Sequence, residues 1–254
     1  MGPAFACLMY HSLADGRFPD SAYPKYTTTR AAFAEHLRLL LHEGFHLAGF
    51  NDLLRRLAQG RGIPQKYCLL TIDDGHKSSL ELAEIMLQAG VRATFFMTMN
   101  YCRERADFLK PDEIRALARE GFDFGTHGVT HRGLSRMPAA AMRAELQDSK
   151  VWLEDVLNDR VRGMSLPAGD GSAEVRNAAF DAGYSLVGNS VERMNCFRRL
   201  PAEINRFVVL SGYSGRLVRR IAGGSPAYGW RRRARSALLA LPRRLLRTYD
   251  RTRN

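Results

Sequence analysis

Two adjacent aspartates, Asp73 and Asp74, follow a continuous apolar run at residues 67–72. That run is typical of a buried strand, so both carboxylates stand where the strand ends. Adjacent carboxylates repel each other and are costly to bury unless a cation or a proton compensates them. A metal ion bound by one aspartate would remove that cost and leave the other as a base. The alternative is an acidic turn, because Asp-Asp-Gly is common in turns.

Two histidines four residues apart, His127 and His131, follow a second strand-like segment at residues 122–126. Neutral imidazole nitrogens suit zinc and related metals, and this spacing lets both rings reach one ion. Two histidines with one aspartate would leave coordination positions open, which a catalytic site needs and a structural site does not. The alternative is a pair of surface or helix-capping histidines.

The elements that must position these residues alternate along the chain. Strand-like runs are separated by helical patterns that end at glycines, such as the one that Thr29 can cap and that stops at Gly44. This alternation predicts βα units with a mostly parallel sheet, either open or closed as a barrel, with chemistry at the carboxyl ends of the strands. The candidate strands are residues 5–10, 67–72, 93–98, 122–126, 161–166, 184–188 and 205–210.

The net charge of +12 is concentrated at one end of the chain. Residues 216–254 hold 12 arginines and one acid, Asp250, whereas the rest of the chain holds 26 basic and 25 acidic side chains. The body is therefore close to neutral, which disfavours nucleic-acid binding by the whole protein. We divide the chain into a domain at 1–215 and a basic amphipathic tail at 216–254.

Targeting signals are not recognisable in the sequence. No apolar run is long enough to span a membrane, and the first ten residues lack a basic segment and a small-residue cleavage site. The four cysteines contain no CxxC pair and are interpreted as reduced thiols. We therefore expect a cytoplasmic protein.

The ordered motifs resemble those of the polysaccharide deacetylases, the NodB-homology domain of carbohydrate esterase family 4. Thr71-Ile-Asp-Asp-Gly75 resembles the first motif, and His127-Gly-Val-Thr-His131 matches the second, a His-x-x-x-His. Ser165-Leu-Pro-Ala-Gly169 is similar to the third. Leu8-Met-Tyr-His-Ser12 and the helix pattern from Phe33 to Phe45 resemble the poly-N-acetylglucosamine deacetylase branch.

The resemblance covers roughly residues 5–210 and implies a distorted (β/α) barrel of about seven parallel strands. It implies a hydrolase that removes an acetyl group, most simply N-acetyl, from a carbohydrate or glycan precursor. Asp74, His127 and His131 would hold one divalent ion, with zinc the first choice. Asp73 would be the general base that takes a proton from the attacking water. A backbone N–H near Ala168, within the Pro167-Ala-Gly169 segment, would stabilise the oxyanion.

Two departures from the family pattern concern proton handling. Ser165 stands where the widespread third motif has an arginine that pairs with the base, and Arg206 resembles a late arginine of the branch that can supply the charge. We group Arg206 with the substrate and oxyanion residues. No histidine follows His131, so the late general-acid histidine is missing. His11 ends the first strand at the same rim, and we assign it that role; the alternative is a histidine bonded to backbone.

These departures support a second hypothesis, a catalytically silent carbohydrate-binding or scaffold homologue.

The tail at 216–254 mixes arginines with leucines and one tryptophan, which suits an anionic membrane surface. We therefore expect peripheral association with the inner face of the membrane, and an N-acetylated glycan or lipid-linked sugar as substrate.

Overall fold

The computed structural model describes residues 3–18, 23–169, 171–196 and 199–224. The chain alternates short strands and helices over this whole length. The strands are β1 (Ala6–Tyr10), β2 (Ser12–Leu13), β3 (Thr27–Thr28), β4 (His46–Ala48), β5 (Tyr67–Ile72), β6 (Thr94–Met97), β7 (Asp123–Thr126), β8 (Gly163–Ser165), β9 (Leu186–Gly188), β10 (Ala202–Ile204) and β11 (Phe207–Val208).

Nine of these strands form one sheet in which every pairing is parallel. The strand order is β10-β9-β8-β7-β6-β5-β1-β11, and β4 pairs with the first half of β5. The sheet curls into the predicted distorted (β/α) barrel, which is thereby confirmed. All seven predicted strands are present. The structure adds β4 and β10 to the sheet, and these three-residue strands are too short to show a periodic pattern.

The helices cover the outside of the sheet, as parallel strands require crossover connections. Thr29 caps the first helix by accepting a hydrogen bond from the Ala32 amide, and Gly44 ends it with a φ of +79°. The helices are α1 (Arg30–His42), α2 (Phe50–Ala58), α3 (Ser79–Gln88), α4 (Met99–Glu104), α5 (Pro111–Arg119), α6 (Ala139–Leu157), α7 (Ala173–Asp181) and α8 (Gly215–Ala222).

Helix α8 lies inside the segment that the sequence assigns to the basic tail. It packs against α1 and β1, and it buries Val218, Ile221 and Ala222. The boundary at residue 215 therefore does not separate this helix from the barrel. Residues 225–254, on which the rest of the tail prediction depends, lie outside the described residues. Within the described part of the chain, no helix combines the length and the apolar character needed to cross a membrane.

The central strands are buried along their whole length. Every residue of β1, β5 and β6 is buried, which is the continuous apolar pattern of a sheet covered on both faces. The polar residues predicted to carry chemistry begin where these strands stop. The barrel therefore provides a rigid support, and the loops at its carboxyl rim carry the reactive side chains.

Candidate active site

Parallel pairing brings the ends of β1, β5 and β7 to one rim of the barrel. Tyr10 of β1 is in register with Ile72 of β5, and the Asp73 amide donates to the Tyr10 carbonyl at 2.9 Å. The His127 amide donates in turn to the carbonyl of Met97, the last residue of β6. His11, the Asp73–Asp74 pair and His127 are thereby placed side by side.

Asp74, His127 and His131 form a cluster that could hold a metal ion. One ligand atom from each residue lies within 4.8 Å of the others. Oδ1 of Asp74 is 3.4 Å from Nε2 of His127 and 3.1 Å from Nε2 of His131. Asp74 and His131 adopt left-handed backbone conformations, with φ of +77° and +61°. Such strained conformations in residues other than glycine gather at functional sites, where the surrounding fold enforces them.

The donor set fits a divalent ion. Nδ1 of His127 donates to the carbonyl oxygen of Ser165 at 2.8 Å, which fixes the ring and leaves Nε2 directed at Asp74. Oδ1 of Asp74 is buried, and it makes no well-aligned hydrogen bond within the described part of the chain although both imidazole nitrogens are near it. A buried carboxylate oxygen without a partner is costly. A cation between Oδ1 and the two imidazole nitrogens would remove that cost.

The imidazoles also control the charge of Asp74. Burial alone would raise the pKa of this carboxyl group, but the adjacent His127 and His131 rings outweigh burial and hold the pKa well below its ordinary value. Asp74 is therefore ionised at neutral pH. An ionised carboxylate is the form that binds a metal ion.

Asp73 is joined to Arg206 in a buried ion pair. The guanidinium donates from one nitrogen to Oδ1 at 2.7 Å and from the other to Oδ2 at 2.9 Å. Both side chains are almost wholly buried, with 2% and 0% exposure. Bidentate pairing of this kind is the strongest geometry between arginine and a carboxylate. Asp73 Oδ2 also lies 4.0 Å from Nε2 of His127, so the ion pair adjoins the cluster of Asp74, His127 and His131.

Ser165 belongs to the same network. Its hydroxyl donates to Asp73 at 2.8 Å and accepts from Arg206 at 2.7 Å. The serine that replaces the family's arginine therefore leaves the charge on Asp73 compensated, because Arg206 supplies it from another strand. Gly188 makes room for this arginine, since a Cβ there would lie 2.9 Å from its Nε.

Arg206 sets the protonation state of Asp73. Burial would raise the pKa of the carboxyl group, but the positive charge of Arg206, with a contribution from His127, lowers the pKa below its ordinary value. Asp73 is therefore ionised and can accept a proton. The prediction that grouped Arg206 with the residues that contact substrate needs correction. Its guanidinium is fully buried behind Asp73 and donates to Asp73, Ser165 and the Asn189 carbonyl.

A buried glutamate holds the loop that carries the two histidines. Glu145 of α6 accepts hydrogen bonds from the amides of Val129 and Thr130, at 2.6 Å and 3.0 Å, and from the Thr130 hydroxyl. Sequence reasoning missed this residue because it lies in an ordinary helical pattern. The one available signal is a charged residue among the apolar positions of α6.

His11 lies at the same rim, next to the cluster. Its ring packs against that of Tyr26 at a centroid distance of 4.9 Å and a tilt of 32°. Its Nδ1 is buried and has no hydrogen-bond partner among the described residues, so the alternative of a bond to backbone is not observed at that atom. Burial lowers the pKa of His11, while the charges of Asp74 and Asp73 oppose that shift.

A cleft of about 330 Å³ opens above these residues. Asp73, Asp74, His127, His131 and His11 all line it. The segment predicted to stabilise the oxyanion forms part of one wall. Ala168, with a left-handed φ of +56°, and Gly169 line the cleft, whereas Pro167 is buried and does not. The rings of Tyr23 and Tyr26 line the cleft beside His11.

Known proteins share this sequence pattern and fold. The sequence model of a family described as polysaccharide deacetylase matches residues 60–187. The chitooligosaccharide deacetylase of Sinorhizobium fredii (strain NBRC 101917 / NGR234) is 28% identical over 145 residues, covering 56% of this chain and 64% of its own length. The protein YxkH of Bacillus subtilis (strain 168) is 23% identical over 180 residues, 70% of this chain and 62% of its own. The chain thus spans less than two thirds of these relatives.

Solved structures resemble the whole barrel. The Streptococcus pyogenes deacetylase PplD, solved in complex with acetate, has a TM-score of 0.73 at 19% identity and covers 87% of this chain and 99% of its own. IcaB from Ammonifex degensii has a TM-score of 0.74 at 20% identity and covers 88% and 98%. At these identities the likeness shows the fold. The family match extends over half of the sequence and includes Asp73, Asp74, His127 and His131, and the chain belongs to the polysaccharide deacetylase family.

Proposed function

We propose that this protein is a metal-dependent hydrolase that removes the acetyl group, most simply N-acetyl, from a sugar of a glycan or glycan precursor. One observation carries the proposal. Three metal-binding side chains, Asp74, His127 and His131, converge beside a second, ionised carboxylate at the floor of an open cleft. Three protein ligands leave coordination positions open, as hydrolytic metal sites require.

Each residue then has a chemical task. Asp74, His127 and His131 would hold a divalent ion, with zinc the first choice, whose Lewis acidity would polarise the acetyl carbonyl and lower the pKa of water. Asp73 accepts the proton of the attacking water. Arg206 and Ser165 orient Asp73 and keep it ionised before the reaction begins. The backbone N–H of Ala168, in the wall of the cleft, donates to the oxyanion as the carbonyl becomes tetrahedral.

The leaving amine needs a proton, and His11 is the group we assign to donate it. His11 lines the cleft on the side of β1, and its ring packs against the tilted ring of Tyr26. Its lowered pKa makes the protonated ring a stronger acid, although a smaller fraction is protonated at neutral pH.

The variant His11→Ala should keep its metal but lose about a hundredfold to ten-thousandfold in kcat on an N-acetyl sugar, the usual contribution of a general acid. On an aryl acetate ester the loss should be small, because a phenolate leaves without being protonated. The exposed His42 on α1 provides the control His42→Ala. Equal losses on both substrates, or near-normal turnover of the sugar, would contradict the assignment.

The proposed function is tested by metal analysis of the purified protein, followed by acetate release from N-acetylated oligosaccharides. We expect about one divalent ion per chain, and acetate release that a chelator abolishes and added metal restores. Parallel O-acetylated substrates determine which acetyl linkage is cleaved. A metal-loaded protein that binds the glycan without releasing acetate would instead support the silent carbohydrate-binding homologue. Binding of nucleic acid that falls steeply with salt would instead support a nucleic-acid-binding protein, which the charge distribution disfavours.

Glu145 provides a prediction about the metal site that does not depend on turnover. Replacing it with alanine frees the Val129 and Thr130 amides, and the loop between the two histidines loses its anchor. The variant should bind the metal about 10- to 100-fold more weakly, as is typical when groups that orient metal ligands are removed. A chelator competition titration measures the affinity. The control is Glu154→Ala, which removes a glutamate of the same helix that bonds to Lys150 and the Val161 amide; an equal effect in both variants would refute a specific role.

We also propose that the protein associates with an anionic membrane surface and there meets a lipid-linked sugar. The support is the composition of residues 225–254, which contain nine arginines, five leucines and one tryptophan. The test is co-sedimentation of the full chain, and of a truncation after Gly224 that keeps α8, with anionic and with neutral vesicles. Binding of the full chain alone to anionic vesicles is expected, and equal binding of both proteins would refute the proposal.

A further inference from the structure

A second, smaller cavity lies against the metal cluster, beside the main cleft. We name it the side recess. It encloses about 60 Å³ and is bounded on one side by Asp74 and His131 and on the other by His76, Tyr101 and Phe108. A water molecule needs about 10–15 Å³ by this measure, so the recess has room for a few waters or for one small substituent. It shares Asp74, His131, His11 and Tyr23 with the main cleft.

The outer wall of the side recess is held in place by specific contacts. His76 forms an antiparallel β-bridge with Phe108, and their rings meet edge to face at 5.6 Å. The Arg105 guanidinium lies over the Phe108 ring at 4.5 Å and donates two hydrogen bonds to Asp107, at 3.2 Å and 2.7 Å. Tyr101 stacks on the metal-cluster residue His131 at 5.6 Å. The wall is therefore preformed and directly coupled to the metal site.

The inner wall holds a polar group that the described chain does not satisfy. Ser12 lines the side recess at 1% exposure, and its Oγ has no hydrogen-bond partner. The backbone around it is fixed, since Ser12 pairs with Thr27 and the next amide, that of Leu13, donates to the Ser78 hydroxyl at 3.1 Å. A rigidly placed, unsatisfied hydroxyl in a cavity is suited to bind a ligand hydroxyl.

The charges of the side recess disfavour an anionic ligand. Asp74 and Asp107 both line it and oppose an anion, and the positive charge of Arg105 is already paired with Asp107. The Tyr101 and Phe108 rings offer apolar surface to a carbon atom. A hydroxyl carried on a single carbon, projecting from the same sugar ring as the acetyl group, matches both the polarity and the size.

We propose that the side recess binds the hydroxymethyl group of the sugar whose acetyl group is removed, with Ser12 as its hydrogen-bond partner. This inference rests on the proposed function, because it places the reacting sugar over the metal cluster. It deepens that function by naming a residue that discriminates between sugars. A sugar without this hydroxyl could not form the hydrogen bond with Ser12, and its binding would be weaker.

The test measures binding on zinc-loaded proteins that carry Asp73→Asn and turnover on the zinc-loaded native protein, with two ligands. The ligands are an N-acetylglucosamine oligomer and the same oligomer with 6-deoxy sugars. Calorimetry on the Asp73→Asn protein, which holds ligand without hydrolysing it, should show about tenfold tighter binding of the parent oligomer, the usual order for one hydrogen bond. Adding Ser12→Ala should remove that preference by weakening only the parent ligand.

Ser79 offers a matched control. It is also a fully buried serine whose Oγ lacks a partner, but it lines neither cavity. Ser79→Ala should leave the tenfold preference intact, and thermal unfolding should show all variants folded. Three results would overturn the proposal: the two oligomers bind equally well, Ser12→Ala weakens the binding of both equally, or neither oligomer binds. Acetate release by the native protein is scored independently. A preference without turnover refutes only the deacetylase function, and turnover without a preference refutes only the recess assignment.

Discussion

Replacing Asp73 with asparagine is expected to lower kcat for acetate release by about a hundredfold to ten-thousandfold, the range that a positioned general base contributes. The amide has nearly the same shape but cannot take a proton from water at neutral pH. Metal binding should persist, because the proposed ligands are Asp74, His127 and His131. Steady-state kinetics on an N-acetylated oligosaccharide, with metal content measured on the same samples, checks both parts.

The companion variant Asp74→Asn separates base from ligand. It should lose metal and activity together, since Oδ1 of Asp74 is the atom nearest both imidazole nitrogens. If Asp73→Asn also lost its metal, Asp73 would be a ligand and the division of roles would be wrong. An Asp73→Asn protein with undiminished kcat would exclude Asp73 as the base.

Replacing Arg206 with methionine is expected to lower the free energy of unfolding by about 3–5 kcal/mol, the usual effect of removing one partner from a buried ion pair. The physical reason is that Asp73 would remain buried and charged, with no opposite charge in bidentate contact. Its pKa should rise, because Arg206 is the main influence that lowers it against burial. The protein would then gain stability as the pH falls and Asp73 becomes protonated. Urea unfolding at several pH values measures this dependence.

The double variant Asp73→Asn with Arg206→Met distinguishes charge imbalance from lost packing. With the carboxylate also neutralised, most of the stability lost in Arg206→Met should return, while activity stays absent. If the double variant is as unstable as Arg206→Met, the arginine contributes mainly through its contacts with the Phe96 ring and the Asn189 carbonyl. The exposed Arg220 on α8 provides a charge-removal control that should leave stability nearly unchanged.

The sequence by itself predicted the seven main strands and singled out Asp73, Asp74, His127 and His131, which the structure brings together. The runs that became β1, β5 and β6 are almost continuously apolar, and His11, Asp73 and His127 fall directly after β1, β5 and β7. This succeeded because strand patterns and short motifs are local, so their information lies within about ten residues. A parallel sheet then delivers all strand ends to one rim, whatever the details of packing.

Short and distant features depended on the tertiary structure. The strands β4 and β10 gain their stability from neighbours in the sheet, since three residues cannot express a period. Helix α8 carries Arg216, Arg219 and Arg220 and looks like part of the basic tail, yet Val218 and Ile221 on its other face are buried in the barrel. The composition gives only the number of charged residues, whereas packing depends on which face of the helix they occupy.

The environment of Asp73 also could not be predicted from the sequence alone. Resemblance suggested that Arg206 could replace the missing arginine, but only the fold shows that its guanidinium lies behind the base and not in the cleft. Arg206 and Ser165 are 133 and 92 positions from Asp73 in sequence, and Glu145 reaches the histidine loop from α6. Residue types and local spacing determined which groups could perform the chemistry. The parallel pairing of β11 with β1 decided which charges surround them, because electrostatic interactions depend on distance in space and not along the chain.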